Sequence, residues 1–542
     1  MQRFDLLIDG GTVVDGSGEP RFEAGVGVVA ATPAAPSHIQ VIREPAEIEA
    51  ARTSAIRTID APGRVVAPGF IDLHSHSGLT ILAEPLHEPK VRQGVTTEVI
   101  GVDGNAYAPF ERPEDLAAFV ELNAGLDGHP DIEYDWDSVA SYLGRFDGRV
   151  SPNIAFLVGN SALRIGAIGW GDQRADQAHL ERMGSMLREA MEEGAFGLSS
   201  GLDYPPGSFA STAELAELAR VAAARGGFHH THVRYPLGDR FLDPFREAIE
   251  IGIRGAAPTH ITHFYHRATF PGTPEQMLGL VDHARTGGLD LTFDAYPYEW
   301  ASTRLLITIP TWVQAGGPGP TRERLADREV RTRIRAELRE RGQLFAGPGG
   351  LVDIRLGYFA QPDNLRWEGM TLGEIGAEMG GPELVDLLCD LLLSEGLRLN
   401  QVTPGPNTEG IRRFYQHPVA MVGTDSTFVG TKPSPRTYGS YPRILGQFVR
   451  DEAVLSLETA IAKMTSMPAD RLGLTTRGRI ADGLVADLVV FDPATIRANA
   501  THDEPRQYSD GIEHVLVDGV LVVEAGRHTG ATPGRALRHG TD

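Results

Sequence analysis

One pattern constrains this chain more than any other. Between residues 65 and 425 eight short apolar runs alternate with helical patterns. The runs are VVAPGFIDLH (65–74), VTTEVIG (95–101), NIAFLVG (153–159), FGLSSGL (196–202), GFHHTHV (227–233), PTHITHF (258–264), LDLTFDAY (289–296) and VAMVGTD (419–425). Several are apolar through most of their length, as expected for strands covered on both faces. Helical segments such as ADQAHLERMGSMLREAMEEG and TAELAELARVAAARG lie between them. Eight strand-then-helix units predict an α/β fold, a (β/α)8 TIM barrel.

The rest of the chain is organised around that barrel. FDLLIDGGTVVDGSG near the start, and ADLVVFDP and GIEHVLVDGVLVVEAGR near the end, are strand-rich with Gly and Asp-Gly turns. Each is short of partners alone, so residues 1–63 and 478–542 are expected to form one composite β-sandwich. The catalytic barrel is expected over 64–477. Within the first part, 31–56 is Ala/Pro-rich and then charged, and reads as an extended surface loop, partly helical. The interval 300–418 is too long for one connection, so an insertion subdomain or lid is expected over 305–415, before the eighth strand.

Composition removes several functions. Fifty basic residues against 72 acidic ones give a net charge of −22, the opposite of what phosphate backbones or anionic membranes attract. Neither nucleic acid nor membrane is an expected partner. The opening MQRFDLLIDGGTVVDG lacks a leader pattern, and no apolar run reaches the ~18 residues of a membrane span. A cytoplasmic chain is expected, and the sequence leaves homo-oligomerisation open. The single cysteine, Cys389, excludes internal disulfides and cysteine-rich zinc sites. It sits in LVDLLCDLLL and reads as a buried helix residue.

Chemistry gathers at the ends of the runs, where barrel active sites lie. His74 and His76 end the first. Two residues apart on a strand, their side chains face the same way, an arrangement that suits a divalent metal. His232 ends the fifth run, His263 the sixth and Asp425 the eighth. A barrel places strands one and eight side by side, as it does five and six, so ligands from both pairs converge on one axial point.

This set resembles the amidohydrolase superfamily. QGVTTEVIG (93–101), GAFGLSSGLDYPPG (194–207), THVR (231–234), DAYPY (294–298), SPRTYGSYPRILGQFVR (434–450), AIAKMTSMPADRLGL (460–474) and RGRIADGLVADLVVFDP (477–493) are similar to its N-acyl-D-amino-acid deacylase (D-aminoacylase) branch. The resemblance implies a metal-dependent hydrolase that cleaves the amide bond of N-acyl amino acids, D-configured in that branch. It implies one or two zinc or other divalent ions. His74 and His76 would hold one, His232 and His263 the other, and Asp425 would be the catalytic acid/base and a further ligand. Tyr204, Tyr296 and Arg436 match positions associated with the substrate. A small-molecule amide is the expected partner.

The departures from the branch are specific. Only Lys90, Lys432 and Lys463 are lysines, so no carboxylated lysine can bridge metals from mid-barrel. Where the branch has a cysteine after strand two, this chain has Asp103, the candidate replacement ligand or bridge. Where the branch has Ser-His-x-Lys, with lysine near the substrate carboxylate, Thr262-His263-Phe264-Tyr265 places Tyr265. The usual histidine on strand three is Asn160. A hydrolase of cyclic amides (hydantoinase- or dihydropyrimidinase-like) is the alternative, although such enzymes use the lysine bridge. A non-catalytic scaffold is the remote one.

Overall fold

The computed structural model describes residues 3–32, 35–267, 270–341, 345–405 and 407–542. Every predicted run contains a strand. Phe70–Asp72, Val95–Ile100 and Asn153–Phe156 pair in parallel, in that order. A second parallel sheet runs through Val158–Gly159, Gly197–Gly201, Phe228–His232, Thr259–Ile261, Leu291–Ala295 and Ala420–Val422. The expected single barrel sheet is therefore two sheets and not one closed ladder. The break falls at Leu157, whose amide still reaches Ile100 O at 3.0 Å.

The ends of the eighth and first strands meet through a parallel bridge between Ser75 and Ser426. Asp425 N donates to His74 O (2.8 Å) and His76 N to Ser426 O (3.1 Å). A buried polar knot backs this seam. Asp72 accepts from Lys90 Nζ and from the amide and hydroxyl of Thr424, and Lys90 also donates to Thr424 Oγ1. A buried ammonium is tolerated there because it is paired and hydrogen-bonded.

The predicted helices form where amphipathic periodicity meets a cap. Gln177–Glu192 starts at an Asp176–His179 capping box, and Thr212–Ala223 at Ser211, whose hydroxyl accepts from Glu214 N. Cys389 is buried in the helix Leu384–Ser394.

The first run departs from one continuous strand. Val65–Pro68 pairs antiparallel with Leu488–Phe491 and parallel with Thr12–Val13, joining a seven-stranded sheet built from both ends of the chain. Only after Gly69 does the chain enter the parallel array. A Cβ there would lie 2.2 Å from Thr96 Oγ1, so the crossing between sheets requires glycine. A four-stranded sheet of Leu6–Asp9, Gly25–Val29, His38–Ile42 and Arg57–Asp60 shares a core with the seven-stranded one, through Ile8, Val26, Val66, Leu488 and Leu516. The stretch 31–56, read as an extended surface loop, partly helical, supplies the helix Pro45–Ser54 and, beyond that reading, the strand His38–Ile42. Its Ile39 and Ile42 are buried in different cores, so no alternation marks the strand in the sequence. Residues 33–34 of it lie outside the described residues.

Between the seventh and eighth strands an antiparallel sheet of Trp300–Arg304, Asn400–Pro404 and Arg355–Tyr358 carries several helices. It has its own core around Leu306, Ile334, Leu356 and Leu388. This insertion roofs the carboxyl ends of the parallel strands, because the cavity there is lined from both sides.

Candidate active site

Four histidines and two aspartates meet at the mouth of the array. His74 and His76 follow the first strand, Asp103 the second, His263 the sixth and Asp425 the eighth, while His232 ends the fifth. Asp103, His263 and Asp425 have φ of +53°, +33° and +50°. Side chains rarely adopt this left-handed region, and such strain concentrates where function fixes geometry.

Asp103 Oδ2 is the focal atom. It lies 3.3 Å from His74 Nε2, 3.7 Å from His76 Nε2, 3.6 Å from His232 Nδ1 and 3.6 Å from His263 Nε2. Asp425 Oδ1 lies 3.3 Å from His76 Nε2 and 3.6 Å from His74 Nε2. Two ligand groups result, His74–His76–Asp103–Asp425 and Asp103–His232–His263, each with its donor atoms within 4.8 Å. Asp103 belongs to both.

The site suits a divalent cation on its own terms. Both ring nitrogens of His74 are buried and make no hydrogen bond. Burial opposes charge on His74, yet the Asp103 and Asp425 carboxylates outweigh it and push the imidazole up to about 10. His232 is pushed up to about 9, burial again being overcome, by Asp103 and Asp203. A pocket whose carboxylates outweigh the cost of burying positive charge on His74 and His232 is one that favours a cation. Imidazole and carboxylate donors match zinc and its divalent neighbours.

A further layer, which sequence reasoning did not find, orients these groups. Asp203 Oδ2 bonds His232 Nε2 at 2.8 Å, and Asp127 Oδ1 bonds His76 Nδ1 at 2.8 Å. Asp294 accepts from the His263 amide at 2.7 Å and bonds His260 Nε2 at 3.0 Å. Carboxylates behind metal-binding imidazoles fix tautomer and ring orientation. Asp203 was legible in GLDYPPG, next to Tyr204. Asp127 ends the helix Pro113–Asp127, far from any strand end, and carries no local signal.

The remaining candidates frame a small cavity. Tyr204, Tyr265 and Tyr296 line it, with Asp103, His232, His263 and Asp425. Tyr204 Oη bonds Thr303 Oγ1 (2.8 Å) in the insertion. Tyr296 Oη is buried with no hydrogen bond. Arg436 is fully buried and does not line the cavity. Its Nη2 lies 2.8 Å from Asp425 Oδ2 and donates to Ser302 O at 2.9 Å, while Nε and Nη1 make no hydrogen bond. Asp425 is held below the usual carboxylate range, burial being outweighed by Arg436 and His74. Asn160 turns away: it donates to Gly207 O and accepts from Gly201 N. His266 also faces elsewhere, towards Pro271 O and Asn407.

A parallel strand-and-helix array that collects imidazoles and carboxylates at its carboxyl ends defines a metal-dependent TIM-barrel hydrolase. A model of the amidohydrolase family matches residues 57–316 and 395–523, and the chain belongs to that family. It is 35% identical to an N-acyl-D-glutamate deacylase of Alcaligenes xylosoxydans xylosoxydans, over 99% of this chain and 97% of that one. It is 32% identical to a D-aminoacylase of the same organism, over 99% and 98%. Among solved structures, the N-acyl-D-glutamate deacylase of Bordetella bronchiseptica, complexed with zinc and a phosphonate mimic of the tetrahedral intermediate, superposes with a TM-score of 0.81. It is 31% identical, covering 99% of this chain and 100% of that one.

Proposed function

We propose that this chain is a metal-dependent hydrolase of N-acyl amino acids, D-configured, releasing a carboxylic acid and a free amino acid. One observation carries the reading: four imidazoles converge on a single carboxylate oxygen, Asp103 Oδ2, beside Asp425. Full-length likeness to deacylases supports the substrate class. The cyclic-amide alternative loses ground because Lys90 is committed to Asp72 and Thr424 at the seam, and no other lysine precedes Lys432.

His74 and His76 would hold one ion, His232 and His263 the other, with Asp103 shared and Asp425 beside the first. Bound there, zinc or a similar ion would acidify water and polarise the amide carbonyl. Asp425, held below the usual carboxylate range by Arg436 and His74 against burial, presents Oδ1 to the site while Arg436 grips Oδ2. It is placed to take a proton from the attacking water and return it to the leaving nitrogen. Tyr204, Tyr265 and Tyr296 shape the pocket, and Arg436, expected to touch the substrate, instead stands behind Asp425 and holds its carboxylate. In this reading the sandwich of 1–63 and 478–542, joined through Val65–Pro68, buttresses the barrel of 64–477, and the insertion of 305–415 covers its mouth. Among the described residues no helix is long and apolar enough to cross a membrane.

The test is amine release by zinc-supplemented protein from matched N-acetyl-D- and N-acetyl-L-amino acids, with a chelated control. Chelator-sensitive turnover of the D-series is expected. Bound metal without turnover of either series would overturn the substrate class.

A further inference from the structure

The cavity has two unlike walls. One holds the carboxylates and imidazoles described above. The other holds Tyr265, Tyr296, Phe345 and Arg267. Arg267 is the one Arg or Lys among the described residues lining this cavity, and it is buried, 4% exposed. Its Nη2 donates to Tyr265 Oη at 2.9 Å. Its guanidinium carbon lies 5.3 Å from the Tyr265 ring centre, and 5.4 Å from those of Tyr235 and Phe345. The aromatic cluster thus fixes the orientation of a permanently charged, planar donor group at the cavity wall.

A buried guanidinium at the wall of the cavity is placed to meet an anion held inside it. Such a group matches a carboxylate, which it meets with charge-assisted and often paired hydrogen bonds. Arg436 differs in kind. It lies behind Asp425, in contact with its carboxylate, and outside the cavity lining.

We infer that Arg267, steadied by Tyr265, binds a carboxylate of the substrate and so makes this enzyme selective for anionic amides. The inference rests on the N-acyl amino acid reading. That carboxylate is either the α-carboxylate, carried by every N-acyl amino acid, or a side-chain carboxylate, carried only by acidic ones.

The experiment uses zinc-loaded protein and four substrates: N-acetyl-D-leucine, N-acetyl-D-glutamate and the α-amide of each. It compares wild type with Arg267→Met and Arg267→Lys, checking folding by thermal melting and metal content by elemental analysis. For a carboxylate bound by Arg267, Arg267→Met should lower kcat/KM on the order of 10- to 100-fold, the worth of one charge-assisted hydrogen bond. The loss should fall mainly on KM, with partial rescue in Arg267→Lys. A loss on both free acids that shrinks at least tenfold on their α-amides assigns the α-carboxylate. A loss on both glutamate forms that is absent from both leucine forms assigns the side chain. An equal loss on all four substrates overturns the proposal. If Arg267→Met misfolds, Arg267→Lys still decides by the ratio of acid to α-amide. No wild-type turnover of any of the four would overturn the N-acyl amino acid reading itself, a separate outcome.

Discussion

The two walls of the cavity solve opposite problems. The metal wall concentrates negative charge: Asp103 and Asp425 sit among imidazoles, and Asp127, Asp203 and Asp294 stand behind them. The facing wall concentrates aromatic surface and one guanidinium. The first is built from the ends of parallel strands, whose spacing the fold fixes. The second draws on Tyr296 at the end of the seventh strand, on the loop after the sixth and on the insertion. Chemistry common to a family belongs on the rigid wall, and choice of substrate belongs on the variable one. The departures from the deacylase pattern follow this division. Asp103 replaces one potential metal ligand with another, whereas Tyr265 replaces a cation with a neutral phenol.

Substitutions on the metal wall should have the largest effects. Asp425→Asn removes the proton carrier while keeping shape, and should cost on the order of 10³-fold in kcat with most metal retained. Steady-state amine release and elemental analysis of one preparation check both halves, and near-normal turnover would remove Asp425 from the mechanism. Asp103→Ala deletes the oxygen shared by both ligand groups and should lower the metal content itself. Asp103→Cys should hold metal, since thiolate is also a zinc ligand. Unchanged stoichiometry in the alanine variant would return Asp103 to being a turn residue before Gly104. Asp203→Asn should be milder, about 10- to 100-fold in metal affinity, because it loosens His232 without removing a ligand. A chelator titration reads that shift.

The metal wall was legible in the sequence for a physical reason. Strand ends in a barrel are adjacent whatever their separation along the chain, so His74, His232, His263 and Asp425 were assembled from register alone. Asp103 came from the resemblance, as the residue at the position where the deacylase branch carries a cysteine. Asp127 was not legible, because a helix end packs against His76 through tertiary contacts that no periodicity reports. The first run concealed its division at Gly69, since Val65–Pro68 and Phe70–Asp72 are equally apolar and only pairing separates them. Arg267 was missed for a related reason: a loop arginine is ordinarily a surface residue, and this one is enclosed by Tyr235, Tyr265 and Phe345, brought together only by the fold.

The smallest effect sharpens the comparison most. Tyr265→Phe keeps the ring against Tyr235, Tyr296 and Arg267 and removes only the hydroxyl that accepts from Arg267. One hydrogen bond to a charged group is worth about 1.5–3 kcal/mol when its partner is left unsatisfied. Arg267, however, keeps its charge and its aromatic surroundings, and can give the freed N–H to the substrate. The expected outcome is a KM change of about threefold or less, with kcat and metal content unaltered. A fall in kcat comparable to that of Asp425→Asn would mean that Tyr265 acts on the reacting atoms, and the division between a wall for chemistry and a wall for selection would fail.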